Sequence, residues 1–162
     1  MEKGTIRVMN PDEVGKLKIC IEELARYHNT VSTNFKGDYP RRPYDITLEA
    51  FREALENKSS MIAVMEEQEK VIGFCKVDFQ GSVGKLDYLV ILEEYRGRGF
   101  GKRLMDWAMR MFTEHEIQQI EVKVVDGNET IHLYEKYGFK MNAHILTYDK
   151  RKIQEMKQND SE

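Results

Sequence analysis

The residues of this chain best suited to chemistry stand together at Arg96-Gly97-Arg98-Gly99-Phe100-Gly101-Lys102. Alternate glycines remove the side chains that would keep a ligand from the main chain, so successive N–H groups can converge on one anion. A helical pattern begins at once, with Leu104, Ala108 and Met111 on one face, and brings the positive end of a helix dipole to the same place. Arg96, Arg98, Lys102 and Arg103 add mobile positive charge. A phosphate or pyrophosphate fits such a segment; the plainer alternative is a glycine-rich turn with a solvated basic face. Two other phosphate-binding patterns fail. G-x-G-x-x-G needs glycine where Lys102 stands, and the P-loop needs Ser or Thr where Arg103 stands.

A second candidate is Asp87, the one carboxylate in the apolar run Leu86 to Leu92. A charge inside a central strand is costly unless it is paired or used, so Asp87 is a candidate general base. The alternatives are that it faces solvent near the strand's start or pairs with a nearby lysine. Glu121 is the second choice for that role, and Glu93 and Glu94 read as solvated turn residues. His28, His115, His132 and His144 show neither H-E-x-x-H nor close spacing with cysteine, so no metal site is expected. Gly81-Ser82-Val83-Gly84 is too short for G-x-S-x-G, so no nucleophile elbow is expected and any group transfer should be direct.

These residues need elements to hold them. Thr5 to Met9 alternates as a strand, and Asn10, Pro11, Asp12 and Glu13 supply an N-cap, a proline first turn and dipole-matched carboxylates. A helix follows, with Val14, Leu17, Ile21 and Leu24 on one stripe. Tyr27 to Tyr44 breaks the period and reads as a loop or broken helix, and a second helix opens near Thr47. Met61 to Met65 and Val71 to Phe79 read as a hairpin, and a turn at Gly81 to Gly84 leads to a central strand at Leu86 to Leu92. Gln119 to Val125 reads as a strand, and Glu129 to Tyr137 as a helix ended by Gly138. Met141 to Tyr148 reads as a last strand, and the tail from Lys150 as charged and frayed. The order is that of an α+β sheet flanked by helices.

Composition bounds the function. The chain has 162 residues, a length for one domain. With 25 Lys plus Arg against 28 Asp plus Glu its net charge is −3, too acidic for a main task of neutralising nucleic-acid phosphates, so an anion site must be local. No stretch approaches the roughly 18 apolar residues of a membrane span, and the N-terminus lacks a signal peptide's apolar run. A cytoplasmic protein, with no nucleic-acid or membrane partner, is expected. Cys20 and Cys75 exclude a disulfide scaffold and read as free, buried thiols.

Arg96, Gly99 and Gly101 after LDYLVILEEY match the form (Gln or Arg)-x-x-Gly-x-(Gly or Ala). Downstream, VVDGNETIHLYEKYGFK carries Asn128, Tyr134, Gly138 and Phe139. Together these resemble the two signature motifs of the GNAT superfamily, the Gcn5-related N-acetyltransferases, in the right order and on the right elements. The specific part covers about residues 60 to 140. The resemblance implies a single-domain fold over residues 1–150 with a charged tail at 151–162. Its sheet would be mixed, mostly antiparallel, of about six to seven strands, flanked by about four helices.

The resemblance further implies acetyl-CoA as co-substrate and a primary amine as acceptor, with the protein a monomer or homodimer. The pantetheine arm would bond the main chain at Leu89, Val90 and Ile91, and the diphosphate would lie on Arg96, Gly97, Arg98, Gly99, Phe100, Gly101 and Lys102. Asn128 would reach the cofactor; it stands six residues before Tyr134 where seven is usual, and a plain N-cap is its alternative role. Related polyamine acetyltransferases carry Glu at the place of Asp87, so the shorter Asp87 would act through a bridging water. An N–H of Leu89 or Ile91 would meet the developing oxyanion, and Tyr134 would protonate the departing thiolate. The aromatic residues from Tyr27 to Tyr44, with Arg41 and Arg42, would border the acceptor pocket or simply cover the sheet edge. Two further readings stay open: a non-catalytic CoA-binding module, and an anion binder for another nucleotide.

Overall fold

The computed structural model describes residues 4–160, which form two compact units, one ending at Asn128 and the other beginning at Glu129. The first unit holds a five-stranded sheet in the order β1 to β5: β1 Thr5–Val8, β2 Ser60–Glu67, β3 Lys70–Gln80, β4 Val83–Ile91 and β5 Gln119–Val122. The first three pairings are antiparallel and β4 with β5 is parallel. The expected mixed, mostly antiparallel sheet is there with five strands rather than six to seven.

Alternation along the strands sorts the core onto two faces. Ile62 and Val64 of β2, Phe74 of β3 and Val90 of β4 pack with Leu17, Cys20 and Ile21 and with Leu48 and Phe51. Those partners come from helices α1 (Lys18–Val31) and α2 (Tyr44–Glu56), with Leu17 ending the turn before α1. Helix α3 (Phe100–Glu114) packs on β2, β3 and β4, burying Phe100, Leu104, Met105, Ala108, Met111 and Phe112 along one stripe. Gly84 permits that approach, because a Cβ there would stand 2.6 Å from the Phe112 ring. Burial pushes the Cys20 thiol up to about 12 and that of Cys75 higher still, so both are protonated, free and inert.

The helix expected from Pro11 starts as a 3-10 turn, Pro11–Leu17, before α1 takes over. Arg7 fixes that entry: it grips both oxygens of Glu13 at 2.8 and 2.9 Å and also binds Glu66 of β2. Arg7, with help from the Asn10 N–H and Lys16, holds the Glu13 carboxyl at about 2, below its ordinary 4.5. The stability this gives is present above pH 4.5 and lost as pH falls through 2. Glu13→Gln should therefore flatten the fall of Tm with acid across that window, read from thermal melts at half-unit steps of pH.

The second unit holds α4 (Ile131–Lys136) and α5 (Lys150–Asp160). Two expectations are corrected here. Met141 to Tyr148 forms no strand, and Met141, Ile145, Leu146 and Tyr148 are exposed. Strand propensity measures fit to a half-buried ladder, and the sheet has no ladder for this segment. From Lys150 to Asp160 the tail is not frayed but helical, which makes five α-helices among the described residues rather than four. Asp149 caps α5 by accepting the Arg151 N–H at 3.0 Å, and the segment that follows is rich in Lys, Arg, Gln and Glu, all good helix formers.

Candidate active site

The site begins where two ladders end at different places. β3 accompanies β4 through Ile91, which stands opposite Gly73. On the other side β5 accompanies β4 only from Val83 to Leu86. From Asp87 to Ile91 the second edge of β4 has no strand beside it among the described residues. Main-chain groups alternate in direction along a strand: the Leu92 N–H bonds the Ile72 carbonyl of β3, so those of Val90 also turn to β3, while those of Leu89 and Ile91 turn to the open edge and are placed to bond an extended ligand as a further strand would. One carbonyl is used internally: Arg96 donates from Nε to the Ile91 oxygen at 2.9 Å.

The open edge runs directly into the glycine bend. Gly97 and Gly99 have φ of 80° and 82°, left-handed values that glycine takes without strain. Gly99 is the N-cap of α3, and no side chain caps it, so the first-turn N–H groups of the helix face outward without an intrahelical acceptor. A Cβ added at Gly97 or Gly99 would meet nothing within 4 Å, so the ground in front of both is open. Phe100 is buried and offers only its main chain, and Gly101 opens the first turn beside it.

The basic side chains are less mobile than their sequence implies. Arg96 lies over the Tyr27 ring at 5.6 Å and reaches Glu23 at 3.4 Å. Arg98 is held by both oxygens of Glu67, at 3.0 and 3.2 Å, and lies over Tyr95 and Phe100. Lys102 pairs with Asp106 at 2.8 Å, and Arg103 donates to the Gly4 carbonyl at 3.1 Å. The donors for an anion are thus chiefly the peptide nitrogens, with the side chains setting the surrounding field.

Asp87 is paired, as one of its alternative readings had it. Its Oδ2 accepts from Lys76 Nζ at 2.8 Å, and the same ammonium reaches Asp78 Oδ1 at 2.6 Å. Pairing slips between Lys76 and Val77: Lys76 faces Tyr88, Val77 faces Leu86, and Asp87 is the extra residue of a bulge. A bulge re-aims a side chain, and this one lets Asp87 reach the face that Lys76 already occupies. Tyr88 stacks on Phe74 at 5.7 Å and meets Phe51 edge-on at 5.1 Å. Burial, then the charge of Asp87, raise its phenol above the ordinary range, with Arg42 opposing. Lys76 is not among the residues singled out from sequence; its signal is a lysine inside the apolar run VIGFCKVDF with an aspartate two places on.

The loop before α2 is organised rather than slack. Asp126 accepts from the Ser32 hydroxyl at 3.0 Å and the Thr33 N–H at 2.7 Å, and both amide atoms of Asn29 bond the Tyr39 main chain. His28 lies against Tyr39 at 5.1 Å, and burial lowers its imidazole below the ordinary histidine range. Asn128 does not cap α4, whose N-cap is Thr130; its Oδ1 accepts from the Tyr27 hydroxyl at 3.2 Å. In the second unit, Tyr134 lies on α4 and meets Phe139 edge-on at 5.9 Å, after a turn through Gly138 at φ 98°. Glu121 stands on β5 opposite Lys85. Among the described residues, no group of three or more His, Cys, Asp or Glu could hold a metal ion, and no helix is long and apolar enough to cross a membrane.

The sequence pattern of the Acetyltransferase (GNAT) family matches residues 24–139. The chain belongs to the GNAT family. That span takes in the open edge, the glycine bend and both sequence motifs. This GNAT chain is 28% identical over 142 residues to the SPbeta prophage-derived uncharacterized N-acetyltransferase YokL of Bacillus subtilis, covering 85% of itself and 76% of that relative. Its fold resembles the PaiA N-acetyltransferase of Thermoplasma acidophilum solved with coenzyme A, at TM-score 0.72 and 17% identity, over 87% of this chain and 93% of that one. It also resembles the aminoglycoside N-acetyltransferase AAC(6')-Iy solved with CoA, at TM-score 0.68 and 18% identity, over 91% and 95% of the two chains. A further structure of AAC(6')-Iy, at TM-score 0.67 and 19% identity over 92% and 99%, holds the bisubstrate analogue CoA-S-monomethyl-acetylneamine.

Proposed function

We propose that this chain is an N-acetyltransferase that passes an acetyl group directly from acetyl-CoA to a primary amine. The observation that carries the reading is the open edge of β4 ending in an uncapped glycine bend at the start of α3. An extended amide-bearing arm fits the edge, and a diphosphate fits the bend. Coenzyme A joins those two parts in that order. The family membership and the CoA complexes of its structural neighbours support the same choice.

Three demands of the chemistry assign the residues. The acceptor ammonium, with a pKa of about 10, must lose a proton, and Asp87 takes it through a bridging water. The nitrogen lone pair then attacks the thioester carbon, and a main-chain N–H at Leu89 or Ile91 meets the oxygen as it gains charge. When the C–S bond breaks, the Tyr134 phenol gives its proton to the thiolate and regains one from solvent as the nitrogen sheds its second. The role of Tyr134 rests on the second motif. Tyr134→Phe should lower kcat by about tenfold to a hundredfold while leaving CoA affinity within a factor of two, as expected for an interaction made only in the transition state. Unchanged turnover removes Tyr134 from the mechanism.

The ion pair of Asp87 with Lys76 favours a second reading, a CoA-binding module without catalysis. One experiment separates the two. A panel of polyamines, aminoglycosides, amino acids and lysine peptides is assayed by thiol release from acetyl-CoA, beside calorimetric titrations with CoA and ATP. Turnover of any amine establishes the transferase, CoA binding without turnover leaves the module, and binding of ATP instead of CoA overturns both.

A further inference from the structure

We propose that Lys76 is a positioning residue for this reaction, holding Asp87 as a carboxylate at the residue where the open edge of β4 begins. The inference rests on the reading of Asp87 as base and concerns how that base is kept in place.

Lys76 is out of place energetically. It is 5% exposed, in the middle of a sheet strand, and its ammonium lies 5.1 Å from the centre of the Phe51 ring. Phe51, Phe74 and Tyr88 surround this position, and an apolar side chain of similar length would fill the volume without the cost of removing a charge from water. What an ammonium adds is its grip on two carboxylates. The two are not equally dependent on it. Asp78 also accepts from the Ser60 hydroxyl at 2.6 Å, so it keeps a donor without Lys76. Asp87, whose side chain is 30% exposed, is hydrogen-bonded only to Lys76 among the described residues.

The backbone supports the same division. Without the bulge, Asp87 would alternate away from Lys76, because adjacent residues of a regular strand face opposite sides. The slip therefore brings a carboxylate to the ammonium at the one point where β4 loses β5. The charged and titratable groups around Asp87 are Lys76 and Asp78 from β3, Tyr88 from β4 and Arg42 from the segment before α2.

The test uses Lys76→Met, Lys76→Arg, Asp78→Asn, Asp87→Asn and the double variant Lys76→Met/Asp87→Asn. Kinetics of kcat/KM against pH are measured with the best amine of the panel, and the Asp87 carboxyl is titrated directly by carbon NMR of aspartate-labelled protein, its signal assigned by its loss in Asp87→Asn. Removing the positive charge should move the acid limb and the NMR midpoint of Lys76→Met up, with kcat falling about tenfold and CoA affinity unchanged. Asp78→Asn leaves the ammonium to Asp87 alone and should move both down. Lys76→Arg should restore most of the parent behaviour, and the double variant should be no slower than Asp87→Asn alone.

If Lys76→Met does not fold, Asp78→Asn carries the test, since the buried ammonium then keeps Asp87 as its counter-charge. Unmoved limbs and midpoints, with Asp87→Asn still inactive, overturn the role of Lys76 and leave the base in place. Parent turnover in Asp87→Asn overturns the base itself, and the inference with it.

Discussion

Gly99→Val should abolish binding of coenzyme A, weakening it at least a hundredfold, which corresponds to about 2.7 kcal/mol. Two effects act together. Gly99 sits at φ 82°, where a β-branched residue is strained by about 1–3 kcal/mol, so the bend would shift. The new side chain would also stand in the open ground where the diphosphate is proposed to lie, because nothing beyond the adjoining chain lies within 4 Å of that Cβ position. The two effects can be separated. Gly81 also has positive φ, 61°, with nothing within 4 Å of its Cβ position, and it lies in the turn between β3 and β4. Gly81→Val should carry a similar strain and bind CoA normally. Calorimetric titration of both variants, with melting curves to show that each is folded, makes the comparison; a folded Gly99→Val that keeps its affinity removes the bend from the coenzyme site.

Asp87→Asn should lower kcat by about 10² to 10⁴, the usual worth of a positioned acid or base, while leaving CoA affinity unchanged. Asparagine has nearly the same shape, and its amide oxygen still accepts from Lys76, so the bulge and the Phe51, Phe74 and Tyr88 packing should survive. The change removes the ability to take a proton and one negative charge. Parallel losses in kcat and kcat/KM mark an interaction made in the transition state; a rise in KM alone would instead make Asp87 a binding residue for a cationic acceptor. Raising pH should recover part of the lost rate, because more of the acceptor amine is then already deprotonated.

Most of the sheet and its helices could be read from period and punctuation. Ile62 and Val64 alternate with Ala63 and Met65, and Leu104, Ala108 and Met111 repeat at helical spacing, because each pattern must face a core. The readings that failed were those that depend on partners distant in sequence. Met141 to Tyr148 has strand-like composition but no ladder, and the tail from Lys150 has helix-forming residues and a cap at Asp149 that outweigh its charge. At the site, the glycine bend was legible because left-handed φ and close anion approach both demand glycine in local sequence. The tethering of Arg96 by Tyr27 and of Arg98 by Glu67 was not, nor was which lysine pairs with Asp87, since those contacts span 69, 31 and 11 residues.

Local sequence alone sets the element order through α4, the glycine bend and the two motifs, all of which are written in residues next to one another. Only the tertiary structure decided that β5 leaves β4 after Leu86, that a bulge turns Asp87 towards a buried lysine, and that the arginines around the bend are held rather than loose. The physical reason is that register, ladder length and ion-pair choice depend on which strands and helices meet, and a residue's neighbours across a sheet leave no mark beside it in the chain.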